Sequence, residues 1–258
     1  MSALKEALLK KKGIIPYFTF ADPNIKQTEK LILDAIDTGA VAIEIGLPFS
    51  DPIADGPVIQ ESHQRVLSSY PDIKVDDAFD MVQRLRTKTT VPLIFMGDVN
   101  LVYQYGCVEF FEKAKSVGLS GVIIPDLNPN QAAEYINSAQ QNQIDLIFLI
   151  SSLCTAERRK QIVQASTGFV YLMARIGVTG ENKAFNKSLK ENVEEIKKIK
   201  DIPVCIGFGI SSNEHVKEVF KIADGAIVGS YLVKFLAYSD DLEEQQHRIK
   251  KALMNLQS

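Results

Sequence analysis

The chain has 258 residues, 46% of them hydrophobic and 24% charged, with a net charge of −3. That length can bury a large core, and the charge balance argues against a nucleic-acid or membrane-surface partner held by bulk electrostatics. No apolar run approaches the roughly 20 residues needed to span a bilayer. Cys107, Cys154 and Cys205 lie far apart with no metal-ligand spacing, which predicts buried thiols in a reducing, cytoplasmic setting and no metal.

The first segment, "MSALKEALLKKKG", has Leu4, Ala7 and Leu8 at helical spacing and stops at Gly13. It carries neither the apolar stretch of a signal peptide nor the arginines of a transit peptide. Short aliphatic runs then follow in order: 13–20, 41–46, 91–96, 121–126, 145–150, 168–173, 202–207 and 225–229. Amphipathic helical patterns alternate with them, among them 27–39, 75–88 and 188–200, and Gly39, Gly118 and Gly168 fall where helices should stop. Near-continuous apolar strands alternating with helices imply parallel pairing buried on both faces. An open doubly wound sheet and a closed barrel both fit this alternation. Eight units over a chain of about 250 residues favour one (β/α)₈ TIM-barrel domain across 1–258, the extra N-terminal helix covering one end.

Within that frame the stretch "IEIGLPFSDPIADGP", 43–57, stands out. If Ile43 and Ile45 face the helix layer, then Ala42, Glu44 and Gly46 face the barrel interior. Glu44 lies near the C-terminal end of its strand, the face on which such barrels build active sites. Burial there penalises its charged form and makes it a candidate proton donor. A buried carboxylate bonded to a neighbouring strand is the competing structural role. Late in the chain, "GFGISSNEH" (207–215) and "GSYLVKFL" (229–236) follow the last two strands. Their glycines admit close backbone approach, and Ser230 is a candidate cap of the following helix. Together they predict a phosphate site in which amides and a helix dipole supply positive potential without any Lys or Arg. "RIGVTGENKAFNKS" (175–188) reads as a long polar connection.

These motifs resemble the tryptophan synthase alpha subunit family over nearly the whole chain. "IEIGLPFSDPIADGP" is similar to that family's E-L/V-G-x-P-F/Y-S-D-P-x-A-D-G-P signature, and "RIGVTG", "GFGIS" and "VGS" follow in the same order and spacing. The resemblance implies a lyase that splits indole-3-glycerol phosphate into indole and glyceraldehyde 3-phosphate. Glu44 would be the acid/base and Asp55 the carboxylate that bonds the indole N–H. Tyr17, Ile59, Tyr171, Thr179, Gly180, Gly207, Phe208, Gly209, Gly229 and Ser230 would bind substrate, with Thr179 also orienting Asp55. No cofactor is implied for this subunit. The expected partner is a pyridoxal-phosphate-dependent beta subunit in an α2β2 heterotetramer, facing Pro48, Phe49, Asp51 and Asn100. A stand-alone lyase and a weakly active regulatory subunit are the alternatives, with a phosphate-binding isomerase behind them. The chain departs from the family pattern at Ala21 (usually Gly), Asp98 (near the usual Tyr), Leu101 (usually Pro) and Asn128 (usually Pro).

Overall fold

Residue alternation along the second strand divides the core into two layers. Ile43 and Ile45 pack between sheet and helices, whereas Ala42 belongs to a separate interior cluster with Ile15, Ile94, Ile123 and Ile147. The computed structural model describes residues 1–173, 182–207, 209–237 and 241–257, and for 182–187 only the backbone. Its strands are β1 (Gly13–Thr19), β2 (Ile43–Gly46), β3 (Leu93–Met96), β4 (Gly121–Ile123), β5 (Asp145–Ile147), β6 (Leu149–Ser151), β7 (Val170–Met173), β8 (Val204–Gly207) and β9 (Gly225–Val228). All pairings are parallel, in the order β5-β4-β3-β2-β1-β9-β8-β7-β6.

The expected fifth strand is therefore two segments that meet at Phe148. Its first half pairs with β4 and its second with β7. The Tyr171 N–H donates to the Phe148 carbonyl at 3.3 Å across this seam. The break lets one strand serve two neighbours, and the parallel order runs round into a TIM barrel. The N-terminal helix (Ala3–Lys10) lays Leu4 and Leu8 against the interior cluster, at 0% and 2% exposure, as its spacing predicted. The expected helices are Ile25–Asp37 and Val75–Arg86. Gly39, Gly118 and Gly168 have φ of 99°, 79° and 69°, the left-handed geometry of a helix exit.

Two expectations change. The helix expected to start at 188 begins at Asn182, so the polar connection of 175–188 is helical over its second part. No glycine or proline follows Gly180 there to stop helix propagation. Cys107 and Cys205 are buried, but Cys154 is only half-buried.

Candidate active site

β2 delivers Glu44 to the interior at 1% exposure, with Tyr17 of β1 opposite it in register. Gly46 leaves space for the Tyr17 ring, since a Cβ there would meet the Tyr17 Oη at 1.9 Å. Beyond Gly46 the chain crosses the barrel rim to Asp55, and Pro57 opens the Pro57–Ser69 helix behind a Gly56 N-cap. That helix is tied back to the loop after β1. Arg65 grips the buried Asp22 carboxylate through Nε at 3.2 Å and a terminal nitrogen at 2.6 Å, and Ser62 donates its one hydroxyl proton to Asp22 while pairing with the Thr19 hydroxyl at 2.7 Å. The tie fixes the helix that begins just after Asp55 relative to β1 and the loop that follows it.

Glu44, Asp55, Tyr17, Ile59, Tyr171, Gly209, Gly229 and Ser230 line one cavity of about 350 Å³. Thr179, Gly180 and Phe208 lie outside the described residues. Gly207 does not line the cavity. A Cβ at Gly207 would sit 2.3 Å from the Tyr171 Oη, so this glycine makes room for the tyrosine. The first and last pairs of the site thus share one device, a tyrosine lying over the strand-end glycine of its neighbour.

Burial, and then the Asp55 charge, push the Glu44 carboxyl up to about 8. Burial and Asp98 raise Asp55 to about 6. Between these values Asp55 is an anion while Glu44 keeps its proton, the split of roles that acid–base chemistry by two carboxyls requires. The buried Glu44 Oε2 has no hydrogen-bond partner among the described residues. A carboxyl held only for structure would be bonded to its surroundings. Glu44 Oε2 is available to a ligand among the described residues.

The β8–β9 side is built differently. Gly209 (φ 81°), Ser211, Gly229 and Ser230 present backbone and small side chains to the cavity. Ser230 is not a cap. Gly229 occupies the N-cap position and no side chain caps the short Ser230–Val233 helix. A cation is also present, contrary to expectation. Lys234 lines the cavity, its Nζ 4.5 Å from the centre of the Tyr231 ring. A helical spacing of four from Ser230 was the available signal for it. Met96, Ile210, Ile227 and Tyr231 also line the cavity and were missed, as was His63 behind Asp55.

The four departures each find a place. Ala21 is fully buried with φ 64°, so it holds without glycine the left-handed turn that the family pattern gives to glycine. Asp98 is 6% exposed and raised to about 6 by burial and Asp126, while the Ile53 backbone N–H facing it pulls the other way. Leu101 packs against the outer core. Asn128 accepts from the Asn130 N–H at 3.0 Å and from Arg158 at 2.8 Å, tying its turn to the Ala156–Ala165 helix. Pro48 and Phe49 are half-buried, and Asp51 and Asn100 are exposed. Among the described residues no cluster of side chains is suited to a metal ion, and no helix is long and apolar enough to cross a membrane.

A family model described as "Tryptophan synthase alpha chain" matches residues 2–258. The tryptophan synthase alpha chain of Petrotoga mobilis is 37% identical over 257 residues, covering 99% of both chains. That of Methanocaldococcus jannaschii is 40% identical over 226 residues, covering 87% of this chain and 79% of the relative. Among solved structures, the tryptophan synthase α2β2 complex of Pyrococcus furiosus contains a chain of 37% identity and TM-score 0.86, with 96% of this chain and 98% of that one covered. A ligand-free tryptophan synthase of M. tuberculosis superposes over the whole of both chains with TM-score 0.87 at 27% identity. With a family model matching residues 2–258 and relatives of 37% and 40% identity, the chain belongs to the tryptophan synthase alpha chain family.

Proposed function

We propose that this chain is the lyase subunit of a tryptophan synthase and releases indole from indole-3-glycerol phosphate. The observation that carries the reading is the Glu44 Oε2, unpartnered among the described residues, in a cavity shared with Asp55. Neutral Glu44 donates its proton to the indole carbon that bears the glycerol chain. Asp55 faces the indole N–H and stabilises the positive charge that develops on the ring. The carbon–carbon bond then breaks as the adjacent hydroxyl becomes an aldehyde. Its proton returns to the Glu44 carboxylate, so the step is balanced without water or cofactor. Tyr17, Ile59 and Tyr171 sandwich the apolar ring. The phosphate lies toward Gly209, Gly229 and Ser230, where backbone N–H groups and the Lys234 ammonium meet its charge.

The partner is a beta subunit carrying pyridoxal phosphate, in an assembly like the P. furiosus complex. It docks on the loops that hold Pro48, Phe49, Asp51 and Asn100. Beside these, Ile53 and Tyr103 are 79% and 71% exposed, apolar surface that suits a protein interface. A purely regulatory subunit has no need of a buried acid. The whole chain is one domain working in the cytoplasm. Indole release by the purified protein from indole-3-glycerol phosphate, with and without a beta subunit, tests the reading. No release in either condition refutes it.

A further inference from the structure

Neither proton transfer uses His63, yet its imidazole is buried at 3% exposure and engaged at both nitrogens. The Phe49 backbone N–H donates to Nδ1 at 3.1 Å. The Tyr17 Oη lies 3.1 Å from Nε2, and the Asp55 Oδ2 lies 3.7 Å from the same nitrogen. An amide N–H is accepted only by a ring nitrogen with a free lone pair. The ring proton therefore sits on Nε2, where it donates to Tyr17 and faces Asp55. Burial works in the same direction, holding the ring neutral by lowering it to about 4. Tyr17, Asp55, His63 and Asp98 together border a void of about 10 Å³, room for a single water at most.

We infer that His63 is a positioning residue that joins the 47–52 loop to the reacting groups. One edge of the ring holds the loop at Phe49, and the other donates to the Tyr17 hydroxyl while facing the Asp55 carboxylate at 3.7 Å. A shift of the loop is thereby felt at both. This rests on the proposed reaction, in which Asp55 faces the indole N–H, and on the loop being partner-facing. His63 touches no substrate in this scheme. Its effect falls on turnover through the placement of Asp55.

Two substitutions separate the ends of the ring. His63→Asn keeps an acceptor near Nδ1 and removes the donor at Nε2, while His63→Gln keeps a donor near Nε2 and removes the acceptor. Indole release from indole-3-glycerol phosphate is measured for both, alone and with a tryptophan synthase beta subunit. His63→Asn is expected to lower kcat about tenfold with KM changed less than about twofold, since displaced catalytic groups cost turnover before binding. His63→Gln is expected to keep kcat at least about threefold above the Asn variant but to gain less from the beta subunit than the parent does. Equal kcat in the two variants, or losses that follow their melting temperatures, would overturn the inference. The parent protein supplies a further readout whatever the variants do: nitrogen NMR at neutral pH should find a neutral ring protonated on Nε2. A proton on Nδ1, or a charged ring, would also overturn it. Failure of the parent to release indole instead refutes the reaction, and that outcome is read separately from the tautomer.

Discussion

The two sides of the cavity are built from different materials. The β1–β3 side uses ionisable side chains, Glu44 and Asp55, backed by Tyr17, His63 and Asp98. The β8–β9 side uses glycines, two serines and one lysine. Side-chain chemistry depends on protonation, and so on every neighbouring charge. Backbone recognition depends little on residue type but strongly on added volume or negative charge. The chemical side should therefore fail through pH and isosteric substitution, the binding side through crowding and charge.

The largest break in that contrast is Glu44→Gln. It should cut kcat by about 10²–10⁴-fold and leave affinity for phosphate-bearing ligands almost unchanged. Steady-state kinetics with a phosphate-bearing competitor checks both halves, and near-normal turnover in a folded variant refutes the acid's role. The same variant has a stability signature. Because the Glu44 carboxyl is raised to about 8, this group keeps in the folded state a proton that it loses in the unfolded state, from about pH 4.5 up to that value, and adds its own slope to those of its neighbours. Stability then falls by at most about 1.4 kcal/mol per pH unit as pH rises through that window. Urea titrations between about pH 6.5 and 8, above the Asp55 and Asp98 values, should show this slope in the parent and its loss in Glu44→Gln.

On the binding side, Gly209→Asp or Ser230→Asp should weaken the phosphate substrate and leave indole binding nearly unchanged. Lys234→Met should raise KM roughly tenfold, the scale of one charge-assisted contact, without lowering kcat in proportion. Equal losses for substrate and indole would mean general damage and withdraw the phosphate assignment.

Asp98 offers a finer test of the chemical side. Activity needs Asp55 ionised and Glu44 protonated, so kcat/KM should fall below about pH 6 and above about pH 8. Asp98→Asn removes the negative neighbour that helps to raise Asp55. The acid limb should move to lower pH while the alkaline limb holds, and a shift of both limbs together would discount this coupling.

The smallest effect is expected at Ala21, which neither side uses. Ala21→Gly relieves the left-handed strain at φ 64° but adds freedom to the unfolded chain, for a net gain of no more than about 1 kcal/mol. Thermal unfolding measures it, and activity should not change.

Much of this was legible in local pattern. Period-two alternation in "VAIEIG" was enough to aim Glu44 inward, and the helical spacing of Leu4 and Leu8 was enough to seal the barrel's far end. The strand runs placed the glycine-bearing turns on the rim, and the long second-strand signature identified the family. These features depend on neighbours within one turn or one strand, so the order of residues determines them. What remained needed the closed barrel. Tyr17 and His63, 46 positions apart, meet only because the Asp22–Arg65 tie holds the Pro57–Ser69 helix against β1. Lys234 lines the cavity from one turn beyond Ser230, and Asp98 perturbs Asp55 because the loops after β2 and β3 border one void. The break at Phe148 likewise answers to two neighbouring strands at once. Distance and burial set these interactions, and both are properties of the assembled fold: the sequence supplied the acid and its direction, while tertiary packing decided its proton affinity and its company.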